Sequence, residues 1–216
     1  MIETTVIIAT IGRETLPYTI KSAVREGFKV IVVGDGIDIP QNVQDKFPVG
    51  VTFTRTGRNY GHYGAIAHNL AALLATTDFV TELDDDDEII ENKGKIIREK
   101  INSNPEIDIW IPGLLLSNGN KLCVTHKNLE FGNVALPTVR TTVFATSPKR
   151  YLDKEEWADV NHGIDFYYIS QAVKRGFKID WMGEEIVAVR PRLKGSRGFS
   201  KLTSEKNTKR SRGLLL

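Results

Sequence analysis

The sequence predicts a single α/β domain on a mostly parallel central sheet, with helices on both faces and a small mixed β region in the second half. Three observations carry that expectation. Short β-branched runs alternate with segments whose apolar residues recur at helical spacing. The 216 residues are 41% hydrophobic and 26% charged, which supplies one sizeable core and rules out a large multidomain enzyme. Polar clusters follow directly on the runs that read as strands, where open α/β sheets place their ligands.

Residues 5–10 (TVIIAT) read as the first strand. Leu16, Ile20, Ala23 and Val24 then recur at helical spacing up to Gly27, which suits a helix C-cap, and residues 28–33 (FKVIVV) give a second strand. A strand, helix, strand unit of this length joins parallel neighbours. Residues 51–55 form a third strand, Ile66, Leu70, Leu73 and Leu74 mark one face of the next helix, and residues 79–83 form a fourth strand. After Pro105 the pattern changes. Residues 108–116 and 121–125 flank Ser117-Asn118-Gly119-Asn120, whose Asn-Gly is a hairpin signal, and the stretch to about Ser147 reads as mixed β structure and loops. A last helix over residues 164–175, closed by Gly176, precedes a strand near 178–181.

Cys123 is the single cysteine, so an internal disulfide is excluded, and Cys123 with His126 lacks the second ligand pair of a structural zinc site. A reducing, cytoplasmic setting is expected. The start MIETTVIIAT has an acid at position three and a short apolar run, so it reads as a strand and not as a secretory signal. No run approaches the roughly 20 apolar residues of a membrane span. The formal net charge of +2 conceals an asymmetry: from Arg190 onward nine Lys and Arg stand against one acid, and the preceding body is net acidic. This basic tail is expected to meet nucleic acid or an anionic membrane surface.

Thr10-Ile11-Gly12-Arg13, Gly34-Asp35-Gly36 and Asp84-Asp85-Asp86-Asp87 follow the first, second and fourth strands, and converge on one edge if those strands are neighbours. Four successive aspartates repel and raise one another's pKa unless positive charge sits among them. A hard divalent cation, Mg2+ or Mn2+, is the usual answer, with open positions for phosphate oxygens. The alternative is a solvated acidic turn. Residues 58–69 (RNYGHYGAIAHN) lead a glycine-containing loop into a helix start, where backbone N–H groups favour an anion. His68 and Asn69 read equally well as a pair capping or packing at the core edge.

Taken in order, TVIIATIGRETL, KVIVVGDG, NYGHYGAIAHNLAALLATTDFV and TELDDDDE resemble the successive signatures of the GT-A glycosyltransferases, family 2-like group, over about residues 4–90. That family commonly shows Pro-Thr-Tyr-Asn-Arg, Val-Asp-Asp-Gly-Ser, Ala-Arg-Asn and Leu-Asp-Ala-Asp-Asp. This chain departs from it: the first motif lacks Pro and Tyr, Gly34 replaces the first Asp of the turn, and His68 stands where Arg is common. The resemblance implies inverting, metal-dependent transfer of a sugar from a nucleotide-diphosphate donor, such as a UDP-sugar, to an acceptor hydroxyl. It places Thr10, Arg13 and His68 at the donor, Asp35 at the base or ribose, and Asp84 and Asp85 at the ribose and phosphates. It puts the metal on Asp86, supported by Asp84.

The resemblance also divides residues 1–193 into a nucleotide-sugar half (1–104) and an acceptor half (105–193), followed by the tail (194–216). Family members carry an acid at the start of a late helix as the catalytic base, and Asp165 matches it, with Ile164 where a Glu is frequent. Closure of the site is expected to raise the pKa of that base. A second reading gives Asp165 only a capping role at the helix N-terminus, and His162 is the reserve base. Arg190, Arg192 and Lys194 lie where relatives close a loop over the donor and suit its diphosphate, and they read equally well as a solvated basic tail.

Two other functions remain open at this level. A sugar nucleotidyltransferase would need a Gly-rich loop ending in Arg and Lys after the first strand, and residues 9–15 offer only Gly12 and Arg13. A non-catalytic module would hold cations on the Asp run and polyanions on the tail.

Overall fold

A computed structural model of the chain describes residues 2–122, 136–149 and 164–189. Strand β1 (Thr4–Thr10) has its central Val6, Ile7 and Ile8 fully buried. A strand covered on both faces needs such a continuous β-branched run. It pairs parallel with β2 (Lys29–Gly34), from Thr5 opposite Lys29 to Thr10 opposite Gly34. Strand β3 (Val51–Arg55) extends the sheet beyond β2, and β4 (Phe79–Glu82) lies on the other side of β1, both parallel. Helices α1 (Leu16–Arg25), α2 (Gln41–Gln44) and α3 (Ala65–Leu74) connect them. The strand order therefore reverses at β1, and the loops leaving β1 and β4 face each other across a topological switch point, the usual ligand crevice of such sheets.

The chain beyond β4 adds β5 (Asp87–Ile89), α4 (Gly94–Ser103), β6 (Ile109–Leu115), β7 (Lys121–Leu122), β8 (Thr138–Arg140), α5 (Thr141–Thr146), α6 (Ile164–Lys174) and β9 (Ile179–Val189). The sheet order is β3-β2-β1-β4-β8-β6-β9-β5, with β7 attached to β6. Antiparallel pairing enters at β4/β8, so the sheet is parallel through β1 to β4 and mixed beyond them. The expected hairpin is present: Leu114 faces Leu122 and Leu115 faces Lys121, with Gly119 at φ +82° in the turn. Among the described residues no helix is long and apolar enough to cross a membrane.

Three elements differ from the expectation. Helix α3 buries the expected Ile66, Leu70, Leu73 and Leu74 face only in part: Ile66 and Leu70 are half-buried, Leu73 and Leu74 are 70% and 46% exposed, and Ala65, Ala67, His68, Ala71 and Ala72 face the interior. Small side chains let the helix approach β1 closely. At Gly64, which enters the helix at φ +77°, a Cβ would come within 2.6 Å of the Ala9 Cβ.

Helix α4 was not legible because its cap is remote. The Glu26 carboxylate accepts hydrogen bonds from the Asn92 and Gly94 N–H groups, both at 2.9 Å, while Ile96, Ile97 and Ile101 supply the buried face. Helix α5 forms from TTVFAT, a β-prone segment read above as β structure or loop. Tertiary bonds from Thr141, N–H to the Asp78 carbonyl (2.8 Å) and hydroxyl to the Thr77 carbonyl (2.6 Å), fix its start and override propensity.

The alanine face of α3 gives a direct test. Ala71→Leu overpacks the helix against the sheet and should cost about 1–3 kcal/mol, whereas Leu73→Gln should stay within about 0.5 kcal/mol of wild type. Urea denaturation of the two variants checks the order, which is the reverse of what side-chain size alone suggests.

Candidate functional site

The acidic run sits at the switch point between β1 and β4. Asp85 turns inward, and its side chain is 1% exposed. The Thr10 hydroxyl donates to Asp85 Oδ2 at 2.5 Å, Arg13 forms an ion pair with Asp85 Oδ1, and the Thr15 hydroxyl donates to the Asp85 carbonyl at 2.8 Å. Burial raises the Asp85 carboxyl above the usual aspartate range, with the Thr10 hydroxyl and Arg13 acting against it. Arg13 is one third exposed and also lies 3.8 Å from Asp86 Oδ1. The positive charge that the sequence demanded among the aspartates is thus partly protein.

The remaining carboxylates gather. Asp84, Asp86 and Asp87 each bring an oxygen into a group whose members all lie within 4.8 Å of one another, with Asp86 and Asp87 buried and Asp84 half-buried. Three hard oxygen donors of this spacing fit Mg2+ or Mn2+. Asp87, absent from the expected ligands, arrives because it opens β5 opposite Val189.

Asp35 is 2% exposed and faces the next loop. Its Oδ1 accepts from the Tyr60 N–H at 2.9 Å and its Oδ2 from the Gly61 N–H at 2.8 Å. Gly36, at φ +73°, lets the same loop press in: a Cβ there would lie 2.1 Å from the Asn59 nitrogen. The loop so held lines an open cleft of about 530 Å³ with Arg58, Asn59, Tyr60 and Ile66, and the Arg58 guanidinium stacks 4.8 Å from the Tyr60 ring centroid. Thr10, Arg13, Asp35, Asp84, Asp85 and Asp86 therefore gather on one edge of the sheet, but Asp35, Thr10 and Asp85 spend their polar atoms on the protein.

A second charged cluster lies beneath that edge. Lys149, 2% exposed, forms ion pairs with Glu82 at the end of β4 and with Asp165 on α6, the latter at 2.7 Å. The other Asp165 oxygen accepts from the Leu136 N–H at 3.0 Å, which holds Leu136 in a left-handed conformation at φ +47°. Burial favours a neutral Asp165, but Lys149 and the Leu136 N–H outweigh it and hold the carboxyl below its ordinary value. Burial alone would raise it, and the cation beside it sets the direction.

One ammonium cannot neutralise two carboxylates, and burial pushes Glu82 up to about 8 against the pull of Lys149. His68 is 2% exposed, with Nδ1 3.8 Å from Glu82 Oε2, and burial followed by Lys149 pushes it down to about 3. His68 thus lies under the site as a neutral ring, away from any surface a donor reaches.

Glu82 and Lys149 are functional candidates that the sequence did not single out. Glu82 left a faint signal, a charge inside the apolar strand FVTEL. Lys149, just past the stretch read as mixed β structure and loops, left none. Arg190, Arg192, Lys194, His162, Cys123 and His126 fall outside the described residues.

A parallel half-sheet whose switch point carries clustered carboxylates, continued by a mixed half with an acid on a late helix, is the GT-A architecture. The glycosyl transferase family 2 model matches residues 5–137, and the chain belongs to that family. Solved structures agree on the fold. S. aureus TarS 1–349 superposes with a TM-score of 0.66 at 17% identity, covering 87% of this chain and 60% of that one. The same fragment in complex with UDP-GlcNAc gives 0.64 at 17%, covering 88% and 59%. The longer S. aureus TarS structure gives 0.65 at 16%, covering 88% and 37%, so this chain spans at most about three fifths of those molecules. No curated protein matches the sequence.

The buried His68 predicts a specific pH dependence of stability. Its folded pKa lies below the 6.5 of the free side chain, so the unfolded chain takes up a proton that the folded chain refuses. That contribution is intact above pH 6.5 and is lost as the pH falls toward 3. His68→Leu should flatten this decline by about 1.4 kcal/mol per pH unit, read from denaturation midpoints between pH 6 and pH 4.

Proposed function

We propose that this chain transfers a sugar from a nucleotide-diphosphate donor, a UDP-sugar in the first instance, to an acceptor hydroxyl in one inverting displacement. The observation that carries the reading is the triad of Asp84, Asp86 and Asp87 at the β1/β4 switch point, in a chain of glycosyl transferase family 2. TarS, whose fold it shares, has been crystallised with UDP-GlcNAc.

Asp86, with Asp84 and Asp87, would hold Mn2+ or Mg2+, which when bound supplies positive charge against the charge growing on the leaving diphosphate. The cleft lined by Arg58, Asn59 and Tyr60 receives the nucleoside end, with Asp35 setting its wall from behind. Arg13 adds positive charge beside the donor, and Thr10 and Asp85 hold it in place. Arg190, Arg192 and Lys194 complete the diphosphate contacts in the family manner.

Asp165 accepts the proton of the attacking hydroxyl. Its two hydrogen bonds leave lone pairs free, its side chain is 19% exposed, and Lys149 keeps it ionised. The basic tail brings the enzyme to a polyanionic acceptor, a modified nucleic acid or a membrane bearing a lipid-linked glycan. The lone Cys123 supports a cytoplasmic setting.

Asp86→Ala should keep the fold and abolish the thermal stabilisation that a UDP-sugar gives with Mn2+; equal stabilisation of variant and wild type removes the metal assignment. Asp165→Asn should still bind donor and metal while single-turnover transfer falls by roughly 10²–10⁴-fold. Transfer within a few-fold of wild type would leave Asp165 with its anchoring of Leu136 alone. Truncation after Arg197 removes Lys201, Lys206, Lys209, Arg210 and Arg212, and should weaken binding to DNA or anionic vesicles most at low salt.

A further inference from the structure

Lys149 is too buried to touch a substrate, yet three elements converge on it. Its backbone is clamped by Asn69 of α3: the Lys149 N–H donates to Asn69 Oδ1 at 2.9 Å, and Asn69 Nδ2 donates to the Lys149 carbonyl at 2.7 Å. Its ammonium group pairs with Glu82 of β4 and Asp165 of α6, and lies 5.6 Å from the Tyr168 ring centroid. Buried charges that lose one partner are costly, so the ammonium has little freedom to leave this position. Asp165 in turn has both oxygens held, one by Lys149 and one by Leu136, and a carboxylate oxygen with one such bond keeps a second lone pair.

We propose that Lys149 is a positioning residue for sugar transfer: clamped by Asn69, its ammonium group fixes the orientation and charge of the Asp165 carboxylate and ties that base to the strand that ends in the acidic run. The proposal rests on Asp165 being the base. A carboxylate aimed by a buried ion pair needs no reorganisation when the acceptor arrives, which is how a supporting residue contributes to a reaction it does not touch. Among the described residues, the groups that face Asp165 or its immediate partners are His68 from α3, Glu82 from β4 with Asp84 beyond it, Lys149 after α5, and Tyr168 on α6, which in turn feels Arg175. His68 is neutral above about pH 3 and Tyr168 is held protonated by burial, so among the described residues Lys149 is the cation that contacts Asp165 and sets its charge at neutral pH.

A merely structural ion pair and a positioning one part company in the pH profile. Single-turnover transfer from a UDP-sugar with saturating Mn2+, at pH 6 and pH 8, is compared in wild type, Lys149→Met, Lys149→Arg and Asp165→Asn. Lys149→Met should lose at least about tenfold at pH 6 and regain part of it at pH 8, with donor-induced thermal stabilisation unchanged, while Lys149→Arg stays within a few-fold of wild type. Wild-type transfer by Lys149→Met beside an inactive Asp165→Asn overturns the role of Lys149 alone. Full transfer by Asp165→Asn overturns the base reading beneath it.

Should Lys149→Met fail to fold, two measurements still decide. Asn69→Ala leaves every charge in place and should lower kcat several-fold with KM for the donor unchanged; unaltered kcat overturns the proposal. Carboxyl NMR of the full chain, with Asp165 assigned by its loss in Asp165→Asn, should find Asp165 ionised at pH 5, and a protonated Asp165 there overturns the proposal.

Discussion

Four carboxylates in succession cannot end a buried strand unless their charge is taken up, and the loop leaving β1 takes up part of it. Thr10 and Arg13 turn Asp85 inward, and Thr15 fixes its backbone, so the run is split between one aspartate spent on the fold and three whose oxygens gather beside one another, two of them buried and Asp84 half-buried. Parallel pairing of β1 with β4 makes this possible, because it brings the exits of two strands more than 70 residues apart onto one edge. The placement of β5, the access of a cation and the position of Arg13 follow from that division.

The same economy of charge recurs one layer down. Glu82 and Asp165 share a single ammonium, and the excess is relieved at Glu82, whose carboxyl is pushed up toward its neutral form, while Asp165 stays ionised. The two centres are joined by β4 itself: its last residue, Glu82, belongs to the lower cluster, and the turn that follows it carries the upper one. Asp84 adds a small upward push to the Glu82 carboxyl, after burial and Asp165. The acidic edge and the late helix are thus linked through β4 and Lys149.

Backbone constraints support both. Gly36 and Gly64 sit where positive φ and close approach exclude a side chain, one against the Asn59 backbone and one against Ala9. Through the first, Asp35 can hold the loop at 60–61; through the second, α3 lies close enough on the sheet for His68 and Asn69 to reach Glu82 and Lys149.

The sequence by itself determined the α/β class, the first four strands, the hairpin around Asn118 and Gly119, the last helix and the acidic edge, because each rests on local periodicity, turn chemistry or a run of like charge. The family signatures lie in those same local stretches. Only the tertiary structure decided which side of α3 is buried, since tight approach favoured Ala71 and Ala72 over the larger Leu73 and Leu74. It alone supplied the cap of α4, from Glu26 at a distance of 68 residues, and turned TTVFAT into a helix.

The partner of Asp165 was equally out of reach of sequence patterns. A lysine, a strand glutamate and a helix aspartate carry no shared spacing, and their meeting depends on how β4, α3 and α6 pack. Burial acts on every carboxylate alike, but the sign of its neighbour is a property of the fold, and here Lys149 with the Leu136 N–H holds Asp165 below its ordinary value.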